Sequence, residues 1–209
     1  GRESRRLHRP LGRNRPGNLL DRLERLLSDG SRLASDNLAP LVRVGENDSR
    51  IWAAWAHTAG WSAADWMVHN GRFPPQVVLE IARQMLRGMI ELERASFCHG
   101  DICSHGLTLT DKGRAVLWPP GLRGAVRPEE GYGMADLPPQ YYDCLAPERV
   151  DAGTGPTIAS DVYSAGCLWW HLLTGRPPVP GGSSLAKLRG HQTASIPDVC
   201  QLAPDTSPR

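Results

Sequence analysis

Tyr141-Tyr142-Asp143-Cys144-Leu145-Ala146-Pro147-Glu148, then Ser160-Asp161-Val162-Tyr163-Ser164-Ala165-Gly166, then Leu172-Leu173-Thr174-Gly175-Arg176-Pro177-Pro178 is the run whose reading decides the fold. From Ser160 onward Val162, Tyr163, Ala165, Cys167, Leu168, Trp169, Trp170, Leu172 and Leu173 leave almost no polar face, which predicts a helix packed on all sides. Ser160 is placed to cap its start through a short hydroxyl side chain, and Gly175 followed by Pro177 ends it. Asp161 is the polar residue near its buried end.

Ala146-Pro147-Glu148, then Asp161-x-x-Ser164-x-Gly166 opening an apolar helix, then Leu173-Thr174-Gly175-Arg176-Pro177-Pro178, closely resembles the large lobe of the protein kinase family, in the bacterial serine/threonine manner. The resemblance implies an α+β fold of two lobes, mostly the helical large lobe. It divides the chain into an incomplete small lobe at 1–56 and a large lobe at 57–209, ending after the family's helix G near Leu202. In the family, Asp161's counterpart holds the catalytic loop from below, and Glu148's pairs with an arginine that would lie beyond Arg209. Glu148, Asp161 and Gly166 are therefore structural expectations.

The 209 residues are 40% hydrophobic, as in an ordinary soluble globular chain. The start at Gly1 and the polar end at Arg209 read as cuts, so a fragment is expected. A formal charge of +2 gives no reason to expect nucleic acid or a membrane, although six arginines fall within the first fifteen residues. The five cysteines are odd in number and lack a C-x-x-C spacing, which suits a reducing compartment. No apolar run reaches membrane-spanning length, and a cytoplasmic location is expected.

Along the chain, Asn18 precedes Leu19, Leu20, Leu23, Leu26 and Leu27 at helical spacing, with Asp21 placed as in a capping box and Gly30 as the stop. Leu41 to Val44 and Arg50 to Ala56 read as two strands joined at Glu46-Asn47-Asp48-Ser49. This order resembles the family's helix C, at Asn18 to Asp29, and its fourth and fifth strands. Arg5 falls near the position of the phosphate-holding lysine, and no lysine precedes Lys112. A planar guanidinium is no substitute for a compact ammonium there. Counting back from Asn37 puts Leu26 where helix C carries its glutamate, with Glu24 out of phase.

The inter-lobe hinge is by resemblance Ala56-His57-Thr58, whose backbone at Ala56 and Thr58 would bond adenine, with Trp55 guarding the inner pocket. Ser62 with Asp65 forms a capping pattern for a short helix ending at Gly71. Pro74-Pro75 opens a long helix whose stripe is Val78, Ile81, Met85, Met89 and Leu92.

That helix leads to Cys98-His99-Gly100-Asp101-Ile102-Cys103-Ser104-His105-Gly106, where the family reads His-Arg-Asp-Leu-Lys-Pro-x-Asn. His99 is expected in the core, and Asp101 is the candidate base. Cys103 stands for the lysine that steadies the transferred phosphate, Gly106 for the metal-binding asparagine, and Gly100 for the arginine that reads an activation-segment phosphate. After a hairpin of Leu107 to Thr110 with Ala115 to Trp118, Pro119-Pro120-Gly121 replaces Asp-Phe-Gly. Neither proline offers a side-chain oxygen to magnesium. Cys98, His99, Cys103 and His105 do not match zinc spacing, and no metal ligand is assigned.

The resemblance with these departures implies a pseudokinase that binds a protein partner as a signalling scaffold. It leaves ATP admissible and counts against magnesium. Two alternatives stay open: a weak or unconventional serine/threonine kinase in which Asp101 still acts on a protein substrate, and a decaying coding segment. Asp101 is either that base or a relic accepting backbone hydrogen bonds within its loop.

Overall fold

A computed structural model describes residues 16–30, 35–48, 50–126, 139–150 and 154–206. Arg5, Tyr132 and the middle of the expected activation segment lie outside the described residues.

Helix α1 (Pro16–Gly30) opens two residues before Asn18, which therefore sits inside the helix and is not its cap. A proline's fixed φ suits a first turn, where its missing N–H is not needed. The Leu19, Leu23 and Leu26 stripe is buried against Leu41, Val44, Ile51, Phe97 and Leu122. Strands β1 (Leu41–Asn47) and β2 (Arg50–Trp55) pair antiparallel, with Val44 opposite Ala53 and Asn47 opposite Arg50. The ladder runs further than expected, to Asn47 and Arg50, and Asp48 beyond it takes a left-handed φ of 47°.

A second sheet holds β3 (Trp61–Ser62), β4 (Leu107–Leu109) and β5 (Ala115–Leu117) in that order, antiparallel throughout. Asn37 ties the segment before β1 to this sheet: its side chain donates to the Ala115 carbonyl at 2.8 Å, and its own carbonyl accepts from the Leu117 N–H at 2.9 Å. Helix α2 (Ala63–Asn70) begins at the Ser62 cap, whose hydroxyl accepts from the Asp65 N–H at 3.0 Å. Helix α3 (Pro75–Arg94) buries Val78, Ile81, Met85, Met89 and Leu92, the stripe that its sequence predicts. A short α4 (Leu122–Val126) follows the hairpin.

Helix α5 (Ile158–Thr174) is the centre of the helical part, with Ala165, Leu168 and Leu172 fully buried against α3 residues. Its cap is Thr157 rather than Ser160. The Thr157 hydroxyl accepts from the Ser160 N–H at 3.0 Å and the Ser160 hydroxyl accepts from the Thr157 N–H at 2.9 Å, a reciprocal capping box. Gly175 ends the helix in the left-handed region at φ 77°. The helix is not packed on every side. Val162 is 55% exposed, and among the described residues nothing lies within 4 Å of a β-carbon placed on Gly166. An apolar window records composition, and it cannot say in which directions neighbours lie.

Helices α6 (Ser184–Thr193) and α7 (Val199–Leu202) complete the described fold, where one helix after a loop was expected. The whole is α+β, with two small antiparallel sheets and a larger helical part. Among the described residues no helix is long and apolar enough to cross a membrane.

Candidate functional site

The loop from Cys98 to Gly106 leaves α3 and enters β4, and α5 fixes its first half from beneath. Asp161, 3% exposed, accepts the N–H of His99 at 2.6 Å and of Gly100 at 2.9 Å. Burial pushes its carboxyl up to about 6, against the pull of those two N–H groups and of the Arg149 guanidinium. The chain can turn here because Gly100 takes φ 80°. His99 is fully buried, and its Nδ1 accepts the Asp101 N–H at 3.3 Å, which leaves the ring proton on Nε2. Burial lowers its pKa to about 3, so the ring is neutral at any ordinary pH.

Asp101 is partly exposed and borders a small pocket with Ile102, Tyr141, Cys144, Arg149 and Ser164. Cys103 is buried beside it, and burial pushes its thiol up to about 12. A neutral thiol in this place carries no charge to steady a phosphate.

The hairpin and the segment after it hold the loop at both ends. The Trp118 N–H donates to the Gly106 carbonyl at 2.8 Å, and the Gly121 N–H donates to the His99 carbonyl at 3.0 Å. Pro120 and Gly121 are buried, and a β-carbon on Gly121 would lie 2.8 Å from Cδ1 of Leu26. Leu26 thus faces this segment from α1, whereas Glu24 is exposed. Arg22 fixes α1 further by donating from Nε to the Ala125 carbonyl at 2.6 Å.

The magnesium that the resemblance implies does not fit these residues. Gly106, Pro119, Pro120 and Gly121 bring no side-chain oxygen to a cation that requires oxygen ligands. Among the described residues no three His, Cys, Asp or Glu side chains are grouped to hold a metal ion.

On the hinge side, Trp55 is 5% exposed and meets Trp118 edge to face, with centroids 6.2 Å apart and planes at 82°. Ala39, Val116 and Leu122 pack around the two indoles. The Ala56 N–H is taken by the Pro40 carbonyl at 2.9 Å, so only the Ala56 carbonyl is left to meet a base. Thr58 is partly exposed one step beyond His57.

The fold therefore brings His99, Asp101 and Asp161 together and sets Ala56 and Thr58 apart from them in the linker between the two sheets. Glu148 is exposed and makes no hydrogen bond or ion pair among the described residues. Gly166 lies on the open face of α5.

The sequence reading missed a buried polar cluster between α6 and the segment at Tyr142-Asp143. Lys187 of α6 forms an ion pair with Asp143, both almost fully buried. His191, one turn on, donates from Nε2 to the Tyr142 carbonyl at 2.7 Å and accepts the Tyr163 hydroxyl at Nδ1, 3.0 Å away. Lys187 is one of two lysines among 24 basic residues, the one signal in the sequence that sets it apart.

Residues 26–208 match the profile of the protein kinase domain. Among curated proteins, the serine/threonine-protein kinase PrkC of Bacillus subtilis is 24% identical over 184 residues, covering 88% of this chain and 28% of its own length. The serine/threonine-protein kinase PknL of Mycobacterium tuberculosis is 29% identical over 169 residues, 80% of this chain and 41% of PknL. The serine/threonine-protein kinase drp72 of Corynebacterium efficiens is 30% identical over 142 residues, 67% of this chain and 26% of that protein. The chain thus spans about a quarter to two-fifths of the length of the curated relatives it matches.

Proposed function

The chain belongs to the protein kinase family, and from that premise we propose that this domain is a pseudokinase that acts by binding a protein partner. The observation that carries the reading is the segment Gly106 with Pro119-Pro120-Gly121, where the family's metal ligands would stand and no side-chain oxygen is present. Phosphoryl transfer depends on positioning and on charge stabilisation by the metal, so its loss removes the largest catalytic contribution. The neutral Cys103 thiol removes a second, the cation beside the transferred phosphate.

In this reading Asp161 and His99 keep a structural duty, which is to fix the loop backbone, and Glu148 and Gly166 belong to the large-lobe surface. The division at residue 56 separates a small-lobe portion, α1 with the β1–β2 hairpin, from the helical portion that would face the partner. The five free cysteines accord with a reducing, cytoplasmic setting.

A second reading has one observation in its favour. Asp101 remains partly exposed at the mouth of the pocket, where a base for a serine or threonine hydroxyl would stand. Thermal denaturation of the full-length protein with ATP, with and without magnesium, separates the two, since a ligand that binds only the folded state raises its melting point. The pseudokinase reading expects no magnesium-dependent rise. A rise that requires magnesium sinks it and favours the kinase reading; a rise with ATP alone means a nucleotide-stabilised scaffold that uses the Ala56 and Thr58 backbone.

A further inference from the structure

The metal site has lost more than its ligands. In the β4–β5 ladder Leu107 pairs with Leu117, and the next pair in register is Gly106 with Trp118, joined by the Trp118 N–H to the Gly106 carbonyl at 2.8 Å. The Trp118 carbonyl lies on the side of Gly106 that a side chain would occupy. A β-carbon built there would lie 2.6 Å from the Trp118 carbonyl oxygen. That is closer than carbon and oxygen can approach, and the obstacle is backbone, which cannot swing aside as a side chain can. Gly106 is buried, with the Asp101 carbonyl oxygen and Cys103 Sγ each 3.7 Å from the same point, so the loop has little room to retreat. Its neighbours are anchored as well: the Gly106 N–H donates to the Cys103 carbonyl at 3.1 Å, and the Gly121 N–H to the His99 carbonyl at 3.0 Å.

We propose that Gly106 and Trp118 form a backbone clasp that closes the loop position from which a metal-binding side chain would project, so that restoring an oxygen ligand at Gly106 does not restore a metal site. The clasp deepens the pseudokinase reading and rests on it for the identity of the closed site. It makes the loss of chemistry a property of the backbone. A partner that merely supplied or uncovered a carboxylate nearby would not reverse it.

Three measurements on the full-length protein test the clasp. In the wild type, the Trp118 amide exchanges its hydrogen slowly, with a protection comparable to Leu117 and Leu109; exchange as fast as that of an open loop amide overturns the proposal. Gly106→Ala lowers the melting temperature by about 5 °C or more, or prevents folding. Its control, Gly166→Ala, places the same methyl in a helix with open space around it and does not lower the melting temperature. A Gly106→Ala protein that melts with the wild type overturns the clasp. The third measurement uses Mn²⁺ alone as the probe, followed by its paramagnetic broadening of protein resonances. Gly106→Asn, which restores a side-chain oxygen at the clasp and leaves Trp118-Pro119 in place, binds Mn²⁺ within about twofold of the wild type at the protein concentrations that such spectra need. Binding about tenfold tighter with an unchanged melting temperature overturns the proposal. Magnesium-dependent stabilisation of the wild type by ATP would sink the pseudokinase reading while leaving the amide exchange and the Gly106→Ala result as they stand.

Discussion

The two halves of the loop from Cys98 to Gly106 have kept different things. The first half rests on α5 through the Asp161 carboxylate, which takes two backbone N–H groups, and carries a fully buried neutral histidine. The second half, which in the proposed reading would meet nucleotide and metal, carries a buried thiol and ends in a buried glycine, and two prolines follow the hairpin beside it. Groups that hold backbone are coupled to the stability of the fold, because removing them strands buried N–H donors. Groups that hold a ligand carry no such debt in the free protein. If the domain is the pseudokinase proposed above, the comparison teaches that a kinase fold sheds its chemistry from the rim inward and stops where the polar groups become structural.

The sharpest way to break this comparison is to remove the acceptor beneath the first half. Asp161→Ala leaves the N–H groups of His99 and Gly100 buried without a partner and should cost about 4 kcal/mol, measured by urea denaturation. Asp161→Asn keeps an acceptor oxygen and should cost about half as much. If the alanine variant were as stable as the wild type, the floor would be no more structural than the rim.

Next in size is the buried pair of Lys187 and Asp143. Lys187→Met leaves the Asp143 carboxylate buried and uncompensated and should cost about 3 kcal/mol, whereas Asp143→Leu/Lys187→Met should recover most of that loss. The double variant separates a pair that supplies stability from one that merely tolerates its own burial. A recovery to near wild type assigns the pair to the second kind.

Much of this architecture can be read along the chain, and the parts that cannot share a cause. The α3 stripe, the Ser62 cap and the Gly175 stop are local patterns, set by residues a few positions apart, and they appear where their spacing puts them. Thr157 displaced Ser160 as the cap because the two hydroxyls serve each other, and the same four residues allow either start until the backbone is seen. The open face at Val162 and Gly166 depends on which neighbours surround α5, which an apolar window does not encode. Lys187 and Asp143 lie 44 residues apart, so nothing in the local sequence links them. Within the candidate site, His99, Asp101 and Asp161 could be named from motif positions, but the 2.6 Å between a β-carbon placed on Gly106 and the Trp118 carbonyl oxygen is a tertiary approach with no sequence signature.

The pH dependence of stability sharpens the comparison within the first half, since its two titrating groups oppose each other. His99, lowered to about 3, contributes stability that is complete above its ordinary value near 6.5 and is lost as the pH falls toward 3, because the unfolded chain takes up the proton first. Asp161, raised to about 6, behaves the other way: its buried charge costs stability above about 6, and that cost is relieved as the pH falls toward 3.8, because the folded chain is protonated first. Between about pH 6 and 4 the two slopes oppose at ~1.4 kcal/mol per pH unit each, so they nearly cancel. His171 and His191, both lowered by burial, add to the loss on the acid side. The wild type should therefore weaken gently below pH 6.5. In Asp161→Asn the relieving slope is gone, and the same acidification should remove about 2 kcal/mol more, read from urea midpoints across the range. Parallel profiles for the two proteins would mean that Asp161 titrates as an ordinary surface carboxyl.

The smallest effect belongs to a residue that the family uses structurally and this chain leaves outside. Glu148 is exposed, with no hydrogen bond or ion pair among the described residues, so Glu148→Gln should change stability by less than about 0.5 kcal/mol. Its neighbour Arg149 is 2% exposed and lies close enough to Asp161 to lower that carboxyl's pKa, so Arg149→Met should act on the floor and not on the rim. Removing the cation should raise the Asp161 carboxyl further and move the pH at which its cost is relieved upward, an effect that a titration followed at the Asp161 carboxyl carbon reads directly. If instead Glu148→Gln proves the more damaging of the two, the surface at Ala146-Pro147-Glu148 is held by a contact of its own, and the boundary between floor and rim lies on the other side of that turn.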